Sequence, residues 1–230
     1  MYGFYYYDYT YFLFMLPAFL IAMYAQIKVQ YTFSKYSTIY NTRGLTGAQA
    51  AQRVLMNNNV TNVAIERVSG HLSDHYDPST NVIRLSDAVY SSTSVAAHEA
   101  GHAVQQNQGY LPIKIRSAMV PVTKLGSFLS MPIILLGLLL PVQYSFVVNI
   151  GIILFSMIVV FELITLPVEI NASRRAIDTL EQTDTLYGEE LDGAKEVLRA
   201  AAFTYLASVF SSAMSLLRIL LITGNRRGRD

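Results

Sequence analysis

The 230-residue chain contains no cysteine. That excludes disulfides and thiolate metal sites, and leaves histidine and carboxylate side chains as the available metal ligands. Charge is scarce as well: Asp, Glu, Lys and Arg make up 14% of the residues, against about 25% in an ordinary soluble domain. With 52% hydrophobic residues and a mean hydropathy of +0.33, much of the surface is expected to face lipid. The net charge of +1 comes with no basic field, so nucleic acid is not an expected partner. No internal repeat or low-complexity linker is present. Residues 1–10 lack the Lys/Arg that would open a secretory signal peptide. Their clustered tyrosines suit an interfacial aromatic belt.

Long apolar runs take the place of the missing charge. Residues 11–27 are uncharged until Lys28, which predicts an uncleaved first span at the short end of the membrane-crossing range. Residues 125–161 carry no charge at all. That is too long for one span, and the PVQY sequence at 141–144 marks a tight reversal. Two helices, 119–140 and 145–166, are predicted as a transmembrane hairpin, with Pro167 kinking the second. Residues 171–199 are charged and helix-prone, and 200–217 are uncharged again.

The Lys/Arg distribution predicts the orientation of a multi-pass protein of the cell membrane. Residues 28–116 hold eight, residues 169–199 hold four, and residues 1–27 and 141–144 hold none. The first three spans then agree on an outside N-terminus and a cytoplasmic segment 28–116. The fourth apolar run conflicts, because Arg226, Arg227 and Arg229 would lie outside if it crossed.

Between the first two spans the chain is polar enough to fold in water. Thr46 or Gly47 can start a helix with an apolar stripe of Ala48, Ala51, Val54 and Leu55, which Asn57, Asn58 and Asn59 can end. Val63, Ile65 and Val68 suggest a strand. The DPSTN sequence at 77–81 is a turn between two short extended runs, which predicts a hairpin. A Ser/Thr cluster at 91–94 can cap the helix that follows, and Gln105, Gln106, Asn107 and Gln108 make its far end polar.

That helix carries His98-Glu99-Ala-Gly-His102, the H-E-x-x-H pattern. Residues four apart share a helix face, so the two histidines can grip one zinc ion, and Glu99 lies where it can act on a water at the metal. A catalytic zinc site takes three protein ligands, and without cysteine the third is a carboxylate or another histidine. Glu169 is the leading candidate. A gluzincin third ligand comes from a later helix and in several families reads E-x-x-A-D, and here the chain reads Glu169-Ile-Asn-Ala172-Ser173. Glu162, two turns earlier on that helix, is an ionisable group near membrane depth but is read as pairing with Lys124 or snorkelling. Asp192, in an LDG sequence, sits among Glu189, Glu190, Lys195 and Glu196, and reads as a solvated helix start. His71 and His75 fall in an extended run, where four residues span about 13 Å, too far to share a metal.

Several stretches together resemble the YugP-type membrane zinc metallopeptidases of bacteria. They are GHLSDHYDP at 70–78, the HExxH with Gly101, LPIKIRSAMVPV at 111–122, FELITLPVEINASRRA at 161–176 and AAAFTY at 200–205. The resemblance covers about residues 30–222. It implies a neutral zinc peptidase related in plan to HtpX and the CAAX prenyl proteases, and it supports Glu169 as third ligand. Those relatives usually place Asp where this chain has Ser173, so the bond orienting a zinc-binding histidine is expected to be weaker or supplied elsewhere. The region before the HExxH also looks shorter than is usual for the family.

The expected fold is a mainly α membrane protein with a gluzincin-like α+β catalytic core, consisting of the HExxH helix plus a small hairpin or sheet, and three to four transmembrane helices. The expected division is an N-terminal anchor at 1–27, a cytoplasmic zinc-peptidase core at 28–116, a helical hairpin at 117–168, and at 169–230 a third-ligand segment with a C-terminal hydrophobic helix. The expected activity is hydrolysis of a peptide or membrane-protein substrate by zinc-activated water, with Glu99 as general base. Candidates for the second electrophile or for support of the ligands are Tyr205, His75, Ser173, Arg174 and Arg175, and residues 72–76 could bind substrate backbone by strand addition. The competing readings are a non-catalytic zinc-binding scaffold and a site-2-type intramembrane protease.

Overall fold

A computed structural model describes residues 9–37, 43–70, 74–90 and 93–227. Among the described residues, seven α-helices and three strands follow in order: α1 (Tyr9–Ser37), α2 (Gly47–Asn57), β1 (Ala64–Val68), β2 (His75–Asp77), β3 (Val82–Ser86), α3 (Asp87–Tyr90), α4 (Thr93–Asn107), α5 (Leu111–Leu139), α6 (Ser145–Gln182) and α7 (Glu189–Arg227). The protein is mainly α, as expected. α1, α5, α6 and α7 are each long and apolar enough to cross a membrane. Their outward faces are large and apolar: Leu139 is 85% exposed, Phe128 77% and Phe19 62%. Such faces are stable in lipid, not in water.

These helices overrun the apolar segments that announced them. α1 continues past residue 27 to Ser37, and α6 runs through Pro167 for 38 residues. Proline removes only its own N–H from the helix ladder, so in a well-packed apolar helix the turns on either side persist.

The chain divides into two compact units, one of residues 1–24, 117–163 and 206–230, the other of residues 25–116 and 164–205. In the first, α5 and α6 approach closely at small residues. A Cβ on Gly151 would lie 2.5 Å from Ile134 Cγ1, and one on Gly137 would lie 2.7 Å from the Val148 backbone nitrogen. Glycine lets the two backbones meet there, the usual device of helix pairs in lipid.

The second unit holds the water-compatible part. α2 begins with a capping box: the Thr46 hydroxyl accepts from the Gln49 N–H, and the Gln49 side chain accepts from the Thr46 N–H. β3 is the central strand, parallel to β1 and antiparallel to β2. The expected hairpin is β2–β3, paired His75 with Arg84, Tyr76 with Ile83 and Asp77 with Val82. Its turn is organised by Asp77, whose carboxylate accepts from the Ser79 and Thr80 hydroxyls and the Ser79 N–H and pairs with Arg84. These contacts hold the carboxyl well below its ordinary range, the Ser79 hydroxyl having the largest effect. Asn81 closes the turn at φ 54°. Ile83 and Leu85 of β3, Val54 of α2, Ala97 and Val104 of α4 and Leu180 of α6 are fully buried in one core. This core fixes α4 against the α6 segment that follows residue 164.

Candidate metal centre

α4 carries His98 and His102 one turn apart, with ring centroids 4.7 Å apart and nearly perpendicular planes. α6 brings Glu169 to them. His98 Nε2 lies 3.2 Å and His102 Nε2 3.3 Å from the same oxygen, Glu169 Oε2. One ligand atom from each of the three residues falls within 4.8 Å of the others, the one group among the described residues able to hold a metal ion. Zinc bonds of 2.0–2.1 Å arranged tetrahedrally put neighbouring ligand atoms about 3.3 Å apart. The two nitrogen–oxygen separations match that edge, and two imidazoles with a carboxylate are donor types that zinc takes. The residues present therefore fit the metal.

The approach that makes this possible depends on Gly101. A Cβ there would sit 2.4 Å from the Ala172 carbonyl oxygen on α6. Gly101 lies between the two histidines on α4, and Ala172 one turn after Glu169 on α6. Gly101 carries no side chain because the helix backbones touch at that point.

The centre is largely shut off from solvent: Glu169 is 2% exposed and His102 8%. Burial by itself lowers the His102 pKa. It is outweighed by the hydrogen bond and charge of Glu169 and by the charge of Glu99, and the imidazole ends above its ordinary value. The pocket thus favours positive charge between these side chains.

The far nitrogens of both rings are also held. The Ser173 hydroxyl is 3.0 Å from His98 Nδ1, and the Gln105 amide oxygen is 3.1 Å from His102 Nδ1. Where related chains were expected to use Asp, Ser173 itself reaches the histidine. Gln105 is one residue that sequence reasoning missed. It falls in the run 105–108 that makes the far end of the helix polar, yet it is completely buried. Its position three residues after His102, on the same helix face, was the available signal.

Glu99 is anchored by the sheet. The Tyr76 N–H of β2 donates to Glu99 Oε2 at 2.9 Å, and the Glu99 charge acts on His102. The Tyr205 hydroxyl of α7 lies within electrostatic reach of Glu169, Glu99 and Arg116. Arg116, at the start of α5, places Nη2 3.8 Å from Glu169 Oε1, the oxygen turned away from the histidines. No motif pointed to Arg116.

The other candidates lie elsewhere. Arg174 is 80% exposed and faces Asp178 at 3.7 Å. Arg175 donates to Asn171 at 2.7 Å and to Gln108. His75 opens β2 on an exposed position outside the metal-competent cluster, and His71 lies outside the described residues. Asp192 is exposed in the first turn of α7, and its neighbour Gly193 serves packing: a Cβ there would be 2.4 Å from the Tyr36 ring.

The family model described as "Putative neutral zinc metallopeptidase" matches residues 11–224. A protein of Bacillus subtilis (strain 168) named "Putative membrane protease YugP" is 42% identical over 215 residues, covering 91% of this chain and 94% of that one. No solved structure matches. A largely buried His-His-Glu cluster of zinc-compatible geometry, formed by α4 and the long apolar α6, is thus joined to a sequence match over nearly all of the chain, and the chain belongs to this family of neutral zinc metallopeptidases.

Proposed function

We propose that the protein is a membrane-embedded zinc endopeptidase in which His98, His102 and Glu169 hold the metal and Glu99 is the general base. The observation that carries this reading is the placement of Glu99. Its carboxylate is outside the His98, His102 and Glu169 cluster, yet the Tyr76 N–H anchors it and its charge acts on His102. A scaffold that used zinc only for shape would need His98, His102 and Glu169 but not a carboxylate held there. Zinc, when bound, polarises a peptide carbonyl and makes water acidic enough to attack near neutral pH. Glu99 takes the proton of the attacking water and delivers it to the leaving amine. The Tyr205 hydroxyl, beside Glu169, is the best-placed donor for the carbonyl oxygen as charge develops on it. The substrate is a peptide or membrane protein, and its backbone is expected to pair with β2.

Glu99→Gln tests the chemistry. In the purified, zinc-loaded protein, hydrolysis of casein or a peptide should fall by about 10²–10⁴-fold, with zinc stoichiometry unchanged. Wild-type activity in that variant overturns the mechanism. The eight Lys/Arg of residues 28–116 support a cytoplasmic site. The absence of cysteine makes this easy to check. Thr61→Cys, on the exposed surface of that segment, should react with a membrane-impermeant maleimide only after cells are permeabilised, and labelling in intact cells reverses the orientation.

A further inference from the structure

His102 is held by a chain of hydrogen bonds whose direction can be read. Arg175 is the starting point, because a guanidinium only donates. Its Nε donates to Asn171 Oδ1 at 2.7 Å, which fixes the Asn171 amide with its oxygen inward. The same oxygen accepts from Gln105 Nε2 at 2.9 Å, and the Val168 carbonyl, which cannot donate, accepts from that nitrogen at 2.8 Å. Two acceptors on one side fix the Gln105 amide in turn, so its oxygen must be the atom facing His102 Nδ1 at 3.1 Å. An amide oxygen only accepts. Nδ1 therefore carries the proton, and the Nε2 lone pair is directed at the cluster. Ser173 exerts no such control on His98, because a hydroxyl can donate or accept. The outer end of the chain reaches the surface, where Arg175 donates to the exposed Gln108 and lies 5.9 Å from the centre of the Tyr110 ring.

We propose that Gln105, Asn171 and Arg175 form a positioning relay that sets the tautomer and aim of His102, so that zinc affinity is governed in part by a contact at the protein surface. The proposal rests on His102 being a zinc ligand. It assigns Arg175 to metal affinity, not to the substrate, and it makes Asn171 an acceptor whose chemistry matters more than its volume.

The test is zinc affinity by competition with a chelator, and the absorption spectrum of the cobalt-substituted protein, both on the full-length protein in detergent. Asn171→Leu should weaken zinc binding by about 10–100-fold and shift the cobalt bands. Asn171→Asp, which keeps an oxygen for both donors, should restore both readouts close to wild type. Gln105→Leu should match Asn171→Leu, and the double variant should be no worse than either single one, because the two act through one path. Arg175→Leu should move both readouts in the same direction by less, and Arg174→Leu, on the exposed face beside it, should leave them unchanged. Wild-type affinity and spectrum in Asn171→Leu, or equal losses in the Leu and Asp variants, overturn the relay. If Gln105→Leu does not accumulate, the Asn171 pair and Arg175→Leu decide the question without it. His102→Ala separates the two claims: undiminished zinc binding there removes the ligand assignment itself.

Discussion

Glu162 and Glu169 are the same side chain on the same helix, seven residues apart and so about 10 Å apart along its axis, and their surroundings differ completely. One oxygen of Glu169 is shared by two imidazoles, and the other faces Arg116. Glu162 has the Ser208 hydroxyl at 2.9 Å on Oε1, while Oε2 is buried without a hydrogen-bond partner among the described residues. A carboxylate in an apolar helix is costly in either place. At Glu169 the surroundings supply partners and leave room for a cation. At Glu162 they supply one serine. Depth in a hydrophobic segment therefore identifies both as unusual, and only the convergence of other donors identifies the one able to hold a metal ion.

The matched substitutions Glu169→Gln and Glu162→Gln test this contrast most severely. Each removes one charge and keeps the shape. Glu169→Gln replaces an anionic ligand by a neutral amide, and zinc binding should weaken by more than the roughly 100-fold that loss of a supporting residue can cost. Metal analysis after gel filtration should then find substoichiometric zinc, with hydrolysis lost in parallel. Retained stoichiometric zinc would mean that the third ligand lies elsewhere.

Gly101→Ala is the next largest effect, and it acts on the framework that Glu162 lacks. The added methyl would meet the Ala172 carbonyl, a backbone atom that cannot swing aside. α4 and α6 must separate, at a cost of about 1–3 kcal/mol for an overpacked site. The separation falls between His98 and His102, so zinc affinity should drop together with thermal stability. A normal melting temperature and normal zinc affinity would show that the helices have slack at this point.

Much of this arrangement was legible in the sequence, for reasons specific to each part. His98 and His102 announce themselves because four residues on a helix define a face, and Glu169 because a proline-bounded apolar segment ends in a carboxylate followed by Ala172 and Ser173. The β2–β3 hairpin was legible from Asp77, Pro78 and Asn81, whose turn chemistry is local. The parallel pairing of β1 with β3 was not, since it joins Ala64 to Val82 across an intervening strand and no local signal encodes that register. Gln105 was passed over because burial of an amide depends on partners far along the chain, here Val168 and Asn171. Arg116 was missed for the same reason. Supporting residues are chosen by the geometry of the assembled site, and their types vary with it.

The smallest expected effect is the most informative about the comparison. In Glu162→Gln the amide oxygen can still accept from Ser208, and the charge that Oε2 carries without a hydrogen-bond partner is gone. Removing an uncompensated charge from an apolar segment should leave thermal stability equal or slightly raised. Zinc content and peptide hydrolysis should stay within about twofold of wild type, as for a site too distant to couple to the ligands. The measurement is made beside Glu169→Gln in the same detergent, so that expression and handling cancel. A tenfold fall in hydrolysis with zinc retained would mean that Glu162 works on the substrate or on proton movement. The two carboxylates of α6 would then be parts of one mechanism, and the contrast in their surroundings would reflect different roles in it.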